Sequence, residues 1–266
     1  MLLTVSWLMG CGEADSPQTD SELKSLPKSV SIRVMTYNIH HARGLDGKVD
    51  TDRIAEVILR ERADIVGLQE VDRGVARTDR RDLIAELAQK TGMQYYFERN
   101  VMYQGGDYGN GILSRYPILE RTNTHYRMIR AKEQRGVMKV ALDIEGRRVM
   151  FMNTHIDYRP DNEERLMNVE EIKGLIKGFG GVPVILCGDF NDYPGGRVHE
   201  ELKTVLVDTW EAVGQGDGFT YPSGEPRSRI DYVWMTPGQG VKPVKAWVPR
   251  TEASDHLPLV VEFELQ

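Results

Sequence analysis

At 266 residues, with 40% hydrophobic and 28% charged residues, the chain can bury a substantial core as one large domain or two small ones. Its net charge of -6 excludes tight non-specific binding of nucleic acid on a basic surface, though not brief catalytic contact with it. Two cysteines, Cys11 and Cys187, leave no disulfide framework and no cysteine-built zinc cluster.

Residues 2–9 are apolar apart from Thr4 and Ser6, a run too short to cross a membrane as a helix. The run ends Leu8-Met9-Gly10-Cys11, which resembles a bacterial lipoprotein signal, although no Lys or Arg precedes it. Residues 12–29 are rich in Ser, Asp, Glu and Pro and suit a flexible tether. The expected organisation is a signal over 1–11, a tether over 12–29 and a folded domain over 30–266. The product would be lipid-anchored through Cys11 in the cell envelope, or secreted, and act as a monomer.

Residues 31–38 alternate as a first strand and end Thr36-Tyr37-Asn38-Ile39-His40. After a Gly-rich loop, Asp50 caps a helix that presents Ile54, Val57 and Ile58 on one face. Residues 64–70 form a second, mostly apolar strand that ends in Glu70, and strand-helix-strand with short links is a βαβ unit. Arg73, Arg77, Arg80 and Arg81 crowd the following loop, near the mouth of any site at that edge. A helix carrying Leu83, Ile84, Leu87 and Ala88 runs to a C-cap at Gly92. Residues 94–98 read as a strand, 105–111 as a mobile glycine loop, and 112–114 as a short strand.

Residues 136–144 alternate, with Met138, Val140, Leu142 and Ile144 on one face; Glu145-Gly146 turns the chain, and 149–153 return as the hairpin partner, leading to His155. A helix over 162–177 buries Leu166, Val169, Ile172 and Ile176. Residues 182–187 then form an apolar strand, suited to burial on both faces, that ends in Gly188, Asp189 and Asn191. Being two apart on an extended chain, Asp189 and Asn191 are expected to point the same way. Further strands are expected over 229–235, 241–248 and 259–263, the last preceded by Ser254-Asp255-His256-Leu257-Pro258.

Asn38, Glu70, His155, Asp189, Asn191, Asp255 and His256 thus fall at or beside strand ends, and Asp231 near the start of a strand. Ligands of α/β sheets bind at such an edge. Carboxylates with a carboxamide oxygen are hard ligands suited to Mg2+ or Mn2+, and His with Asp supplies acid-base groups. The set fits metal-assisted hydrolysis of a phosphate ester.

Asn38 in Thr-Tyr-Asn-Ile, Glu70 in Leu-Gln-Glu-Val, His155 in Asn-Thr-His, Gly188-Asp189-Phe190-Asn191, Arg229-Ile230-Asp231-Tyr232 and Ser254-Asp255-His256-Leu257-Pro258 occur in the order of one family. In these motifs the chain resembles the endonuclease/exonuclease/phosphatase superfamily, the deoxyribonuclease-I-like fold, over nearly all of residues 31–263. The resemblance implies an α/β fold, a four-layer α/β/β/α sandwich of two packed mixed sheets flanked by helices. It implies Glu70 as the main metal ligand, helped by Asn38 and Asp255, with Mg2+ or Mn2+ as the ion. His256 oriented by Asp231 would form an acid-base dyad. Asp189 would orient or deprotonate water or protonate the leaving group, and Asn191 and His155 would bind phosphoryl oxygens. The implied substrate is phosphorylated: nucleic acid, a lipid head group or a small phosphate ester. Arg127, Arg130, Lys132 and Arg135, with the earlier arginines, would serve any of these. The alternatives are a catalytically silent module binding a phosphorylated ligand and, among enzymes, a sphingomyelinase-like lipid phosphodiesterase. His40 and His41 are expected to be loop histidines at the rim.

Overall fold

The computed structural model describes residues 29–130 and 133–266, together with Leu2. The expected lipoprotein signal (Leu2 aside), nearly all of the tether, Cys11 and Lys132 lie outside these residues. Two six-stranded mixed sheets stack face to face. The first runs, in order, β11 (Val241–Trp247), β12 (Leu259–Leu265), β1 (Val30–Asn38), β2 (Ile65–Arg73), β4 (Gly106–Ser114) and β3 (Gln94–Tyr103). The second runs β5 (Ile118–His125), β6 (Gly136–Ile144), β7 (Arg147–His155), β8 (Val184–Asp189), β10 (Asp231–Met235) and β9 (Val207–Asp208). Helices α1 (Thr51–Glu61) and α2 (Leu83–Thr91) cover the first sheet. Helices α3 (Glu163–Gly178) and α4 (Arg197–Lys203) cover the second, and the short α5 (Thr209–Val213) sits beside β11. This is the four-layer α/β/β/α sandwich.

Each sheet has one parallel pair, β1 with β2 and β7 with β8, and α1 and α3 make the crossovers. Asp50 caps α1 as expected, its side chain accepting from Asp52 N. The inner faces interleave Val34, Ile65 and Ile112 with Val140, Phe151, Ile185 and Val233. Cys187 lies in this layer; burial pushes its thiol well above the usual range, so it behaves as an inert core residue.

Three expectations give way. Residues 105–111 are not a loop: from Gly106 they belong to β4, paired with β2 on one side and β3 on the other. Their glycines are there for close approach, since a Cβ at Gly109 would lie 2.0 Å from Glu98 O. β2 does not end at Glu70 but runs on to Arg73, with a register shift between Leu68 and Val71 and Glu70 itself at φ 59. Glu70 therefore sits in a bulge, which re-aims its side chain out of the strand's alternation. Asn191 does not continue an extended chain from Asp189; its φ is 47, and its N–H donates to Asp189 Oδ1 at 3.0 Å in an Asx turn.

The sheets are also tied by a buried polar bridge. Gln69 Nε2 donates to Asn153 Oδ1 (2.6 Å), and Asn153 Nδ2 donates to Leu68 O (2.9 Å) and Gly111 O (2.8 Å). Gly67 allows the close approach this needs, because a Cβ there would lie 2.2 Å from Cys187 Sγ. Truncating Asn153 strips donors from buried carbonyls, so Asn153→Ala is expected to lower stability by about 2–3 kcal/mol. Urea unfolding checks this; a loss within about 0.5 kcal/mol, the range of surface substitutions, would show that the bridge is dispensable.

Candidate active site

Strand register builds the site. His155 on β7 and Asp231 on β10 both pair with Asp189 on β8, so three neighbouring strands present the three side chains side by side at one edge. Asn38 ends β1, and the β2 bulge brings Glu70 to the same edge of the other sheet. The loop before β12 delivers Asp255 and His256. It is fastened by Ser254 Oγ donating to Asn38 O (2.7 Å) and Leu257 N donating to Thr220 O (2.7 Å).

Asp189 is where these elements meet. Its Oδ2 accepts from Asn38 Nδ2 at 3.0 Å and lies 3.4 Å from His155 Nε2 and 3.8 Å from His256 Nε2. Asn38 Nδ2 also donates to Glu70 Oε1 at 3.2 Å. His256 Nδ1 is 2.9 Å from Asp231 Oδ2, which accepts from Thr220 Oγ1 at 2.6 Å. All eight predicted residues are thus gathered, in a cleft of about 440 Å³ lined by Glu70, His155, Asp189, Asn191, Asp255 and His256, with Asn38 and Asp231 directly behind.

The electrostatics divide the groups. Burial, reinforced by the Asp231 charge, pushes the Asp189 carboxyl well above the usual carboxylate range, against the opposing pull of His256, Asn38 and Asn191. Burial disfavours charge on His256 too, but Asp231, with Asp189 and Asp255, overcomes it and lifts the imidazole to about 10. Burial, with the Arg135 and His256 charges, holds His155 well below the usual range, so it is a neutral imidazole at pH 7. The arrangement therefore combines a cationic His, a neutral His and a carboxyl poised to exchange a proton.

Glu70 and Asp255 offer carboxylate oxygens to the cleft, a donor set that fits a small divalent cation. Asn38 stands beside Glu70, its Nδ2 donating to Glu70 Oε1 while its Oδ1 accepts from His40 N at 3.1 Å.

The arginine cluster is largely engaged elsewhere. Arg73 binds Asp107, Arg77 binds the buried Asp72 and Arg81 binds Glu86. Arg127 and Arg130 are held by Glu171 and Asp161. The sequence shows the run of arginines but not their carboxylate partners, some of which lie far along the chain. Arg135 does line the cleft, 3.2 Å from Glu133. Tyr108, Tyr158 and Tyr221, which also line it, carry no local motif; the Tyr221 ring packs tilted against His256, 4.7 Å between centroids and 45° between planes. Nor are the two loop histidines both at the rim, since His41 is buried at 5% exposure.

The sequence pattern of the Endonuclease/Exonuclease/phosphatase family matches residues 35–256. The chain belongs to this family. It is 26% identical over 255 residues to the uncharacterized protein YbhP of Escherichia coli strain K12, covering 88% of this chain and 97% of that protein. Among solved structures, the family fold recurs in a Bacteroides thetaiotaomicron mannosyl-6-phosphatase (TM-score 0.73, 20% identity, 87% of this chain and 99% of the other). It recurs as well in the human nocturnin catalytic domain with bound sulfate (TM-score 0.72, 24% identity, 90% and 97%).

The dyad can be tested without substrate. In Asp231→Asn, burial acts on His256 with its main counter-charge gone, so the imidazole is expected to titrate more than one unit lower by NMR. The stability sign follows. A folded pKa raised from about 6.5 contributes stability that is fully present below pH 6.5 and is lost as pH rises towards 10. The cost of Asp231→Asn, measured by urea unfolding, should accordingly be larger at pH 6 than near pH 10. An unmoved His256 titration would contradict the coupling.

Proposed function

We propose that the chain is a divalent-metal-dependent hydrolase that cleaves a phosphate ester by attack of an activated water. One observation carries this reading: the buried Asp189 carboxyl, held by Asn38 between a neutral and a cationic histidine, facing a cleft with Glu70 and Asp255. Glu70 and Asp255 would hold the ion, with Asn38 fixing Glu70. The bound ion would offset charge on phosphoryl oxygens and lower the pKa of water.

The chain's own groups supply the rest. Asp189 orients the water and exchanges its proton, favoured by the burial that raises its carboxyl. His256, kept cationic by Asp231, stabilises negative charge on the phosphoryl group. His155 and the Asn191 amide add hydrogen-bond donors, and Arg135 adds a fixed positive charge at the cleft. The names of similar proteins, a mannosyl-6-phosphatase and nocturnin with bound sulfate, agree with a site for a tetrahedral anion.

We favour a compact phosphate ester over a long polyanion. Arg73, Arg77, Arg81, Arg127 and Arg130 are each paired with a carboxylate, and Arg135, the arginine among the cleft-lining residues, is itself paired with Glu133. A nucleic-acid track would need unpaired cations along its length.

The purified protein, supplied with Mg2+ or Mn2+, should hydrolyse at least one member of a panel of sugar phosphates, inositol phosphates, sphingomyelin, RNA, plasmid DNA and a chromogenic phosphodiester. Exhaustive chelation should abolish that activity. Asp189→Ala and His256→Ala should each lower kcat/KM by about 10²-fold or more with the circular dichroism spectrum retained. Activity that survives chelation would remove the metal from the account, and near-normal turnover in either variant would remove that residue.

A further inference from the structure

His40 and His41 have no part in the hydrolysis proposed for the site. They follow β1 directly, where His40, His41 and Ala42 all adopt left-handed backbone, with φ of 44, 45 and 60. Non-glycine residues rarely take that conformation, and three in succession must be imposed by their surroundings. The turn brings both rings to Glu70: one nitrogen of each imidazole and one Glu70 carboxylate oxygen lie within 4.8 Å of one another. His41 is 5% exposed, and its Nδ1 has no hydrogen-bond partner among the described residues. A buried imidazole nitrogen left without a partner is costly unless something occupies it. The His40 ring meets His41 edge-on at 4.5 Å, and its Nδ1 lies 3.6 Å from Asp255 Oδ1.

Two imidazoles and a carboxylate select ions differently from oxygens alone. Imidazole suits Fe2+, Co2+, Ni2+ and Zn2+, whereas Mg2+ takes oxygen and keeps its waters. We infer that the ion held at Glu70 takes nitrogen donors from His40 and His41, so that the site prefers a transition metal ion to Mg2+. This rests on the proposal that Glu70 holds the metal, and goes beyond it by naming two further ligands and the class of ion.

The test uses the full chain stripped of metal and titrated separately with Co2+ and with Mg2+. Binding is read by calorimetry and, for Co2+, by visible d–d absorption and paramagnetically shifted imidazole proton resonances. Wild-type protein is expected to show shifted imidazole signals and to bind Co2+ about tenfold or more tightly than Mg2+. His40→Gln and His41→Gln should each weaken Co2+ about tenfold or more, while retained Mg2+ binding reports an intact fold. Glu70→Gln should lose both ions. Absence of shifted imidazole signals in the wild type, or unchanged Co2+ affinity in both histidine variants, would overturn the inference. If Glu70→Gln loses both ions in that case, the assignment of Glu70 as metal ligand still stands. If Glu70→Gln keeps both ions, the assignment and the inference fall together.

Discussion

A buried carboxyl needs partners, and Asp189 finds them on strands of both sheets. Asn38 reaches it from the end of β1, His155 from the adjacent β7, and His256 from the loop that enters β12. No single strand could supply these contacts. The two sheets must therefore meet at a fixed distance and register for Asp189 to be satisfied. The apolar interlayer sets that distance, and Gly67 with the Gln69–Asn153 bridge holds it close to the site. The fold's stability and the site's geometry thus depend on the same contact between sheets.

Around this rigid centre lie residues whose backbone departs from regular structure. Glu70, Asn191 and the His40–His41 pair all have positive φ without being glycine. Such positions cost about 1–3 kcal/mol each and persist only where the surroundings determine them. At this edge they turn side chains that strand alternation would have sent elsewhere towards one cleft. The division is one of backbone: regular strands place His155, Asp189 and Asp231 by register, and irregular turns place Glu70 and Asn191.

Much of this was legible in the chain itself. Apolar alternation and the caps at Asp50 and Gly92 mark elements that the fold contains, and the ordered motifs name the family and the eight side chains that gather in and behind the cleft. What the sequence could not show is long-range. The β2 bulge at Glu70 depends on pairing with β4, and the glycines of 106–111 read as a loop because the close neighbours that demand them, such as Glu98 O against Gly109, lie on other segments. The arginines at 73, 77 and 81 read as groups near the mouth of the site because a run of charge does not show which carboxylate each will bind. His41 looked like a rim histidine because burial is a property of the folded neighbourhood. Asn191 reached the cleft, but through an Asx turn and not through the alternation that suggested it.

In the proposed reaction, water activated beside Asp189 attacks phosphorus. Hydrolysis of an accepted phosphate ester in ¹⁸O-labelled water, followed by mass spectrometry of both products, tests it most directly. One labelled oxygen is expected in the phosphoryl product and none in the released alcohol. Label in the alcohol, which would mean cleavage of the carbon–oxygen bond, would contradict it.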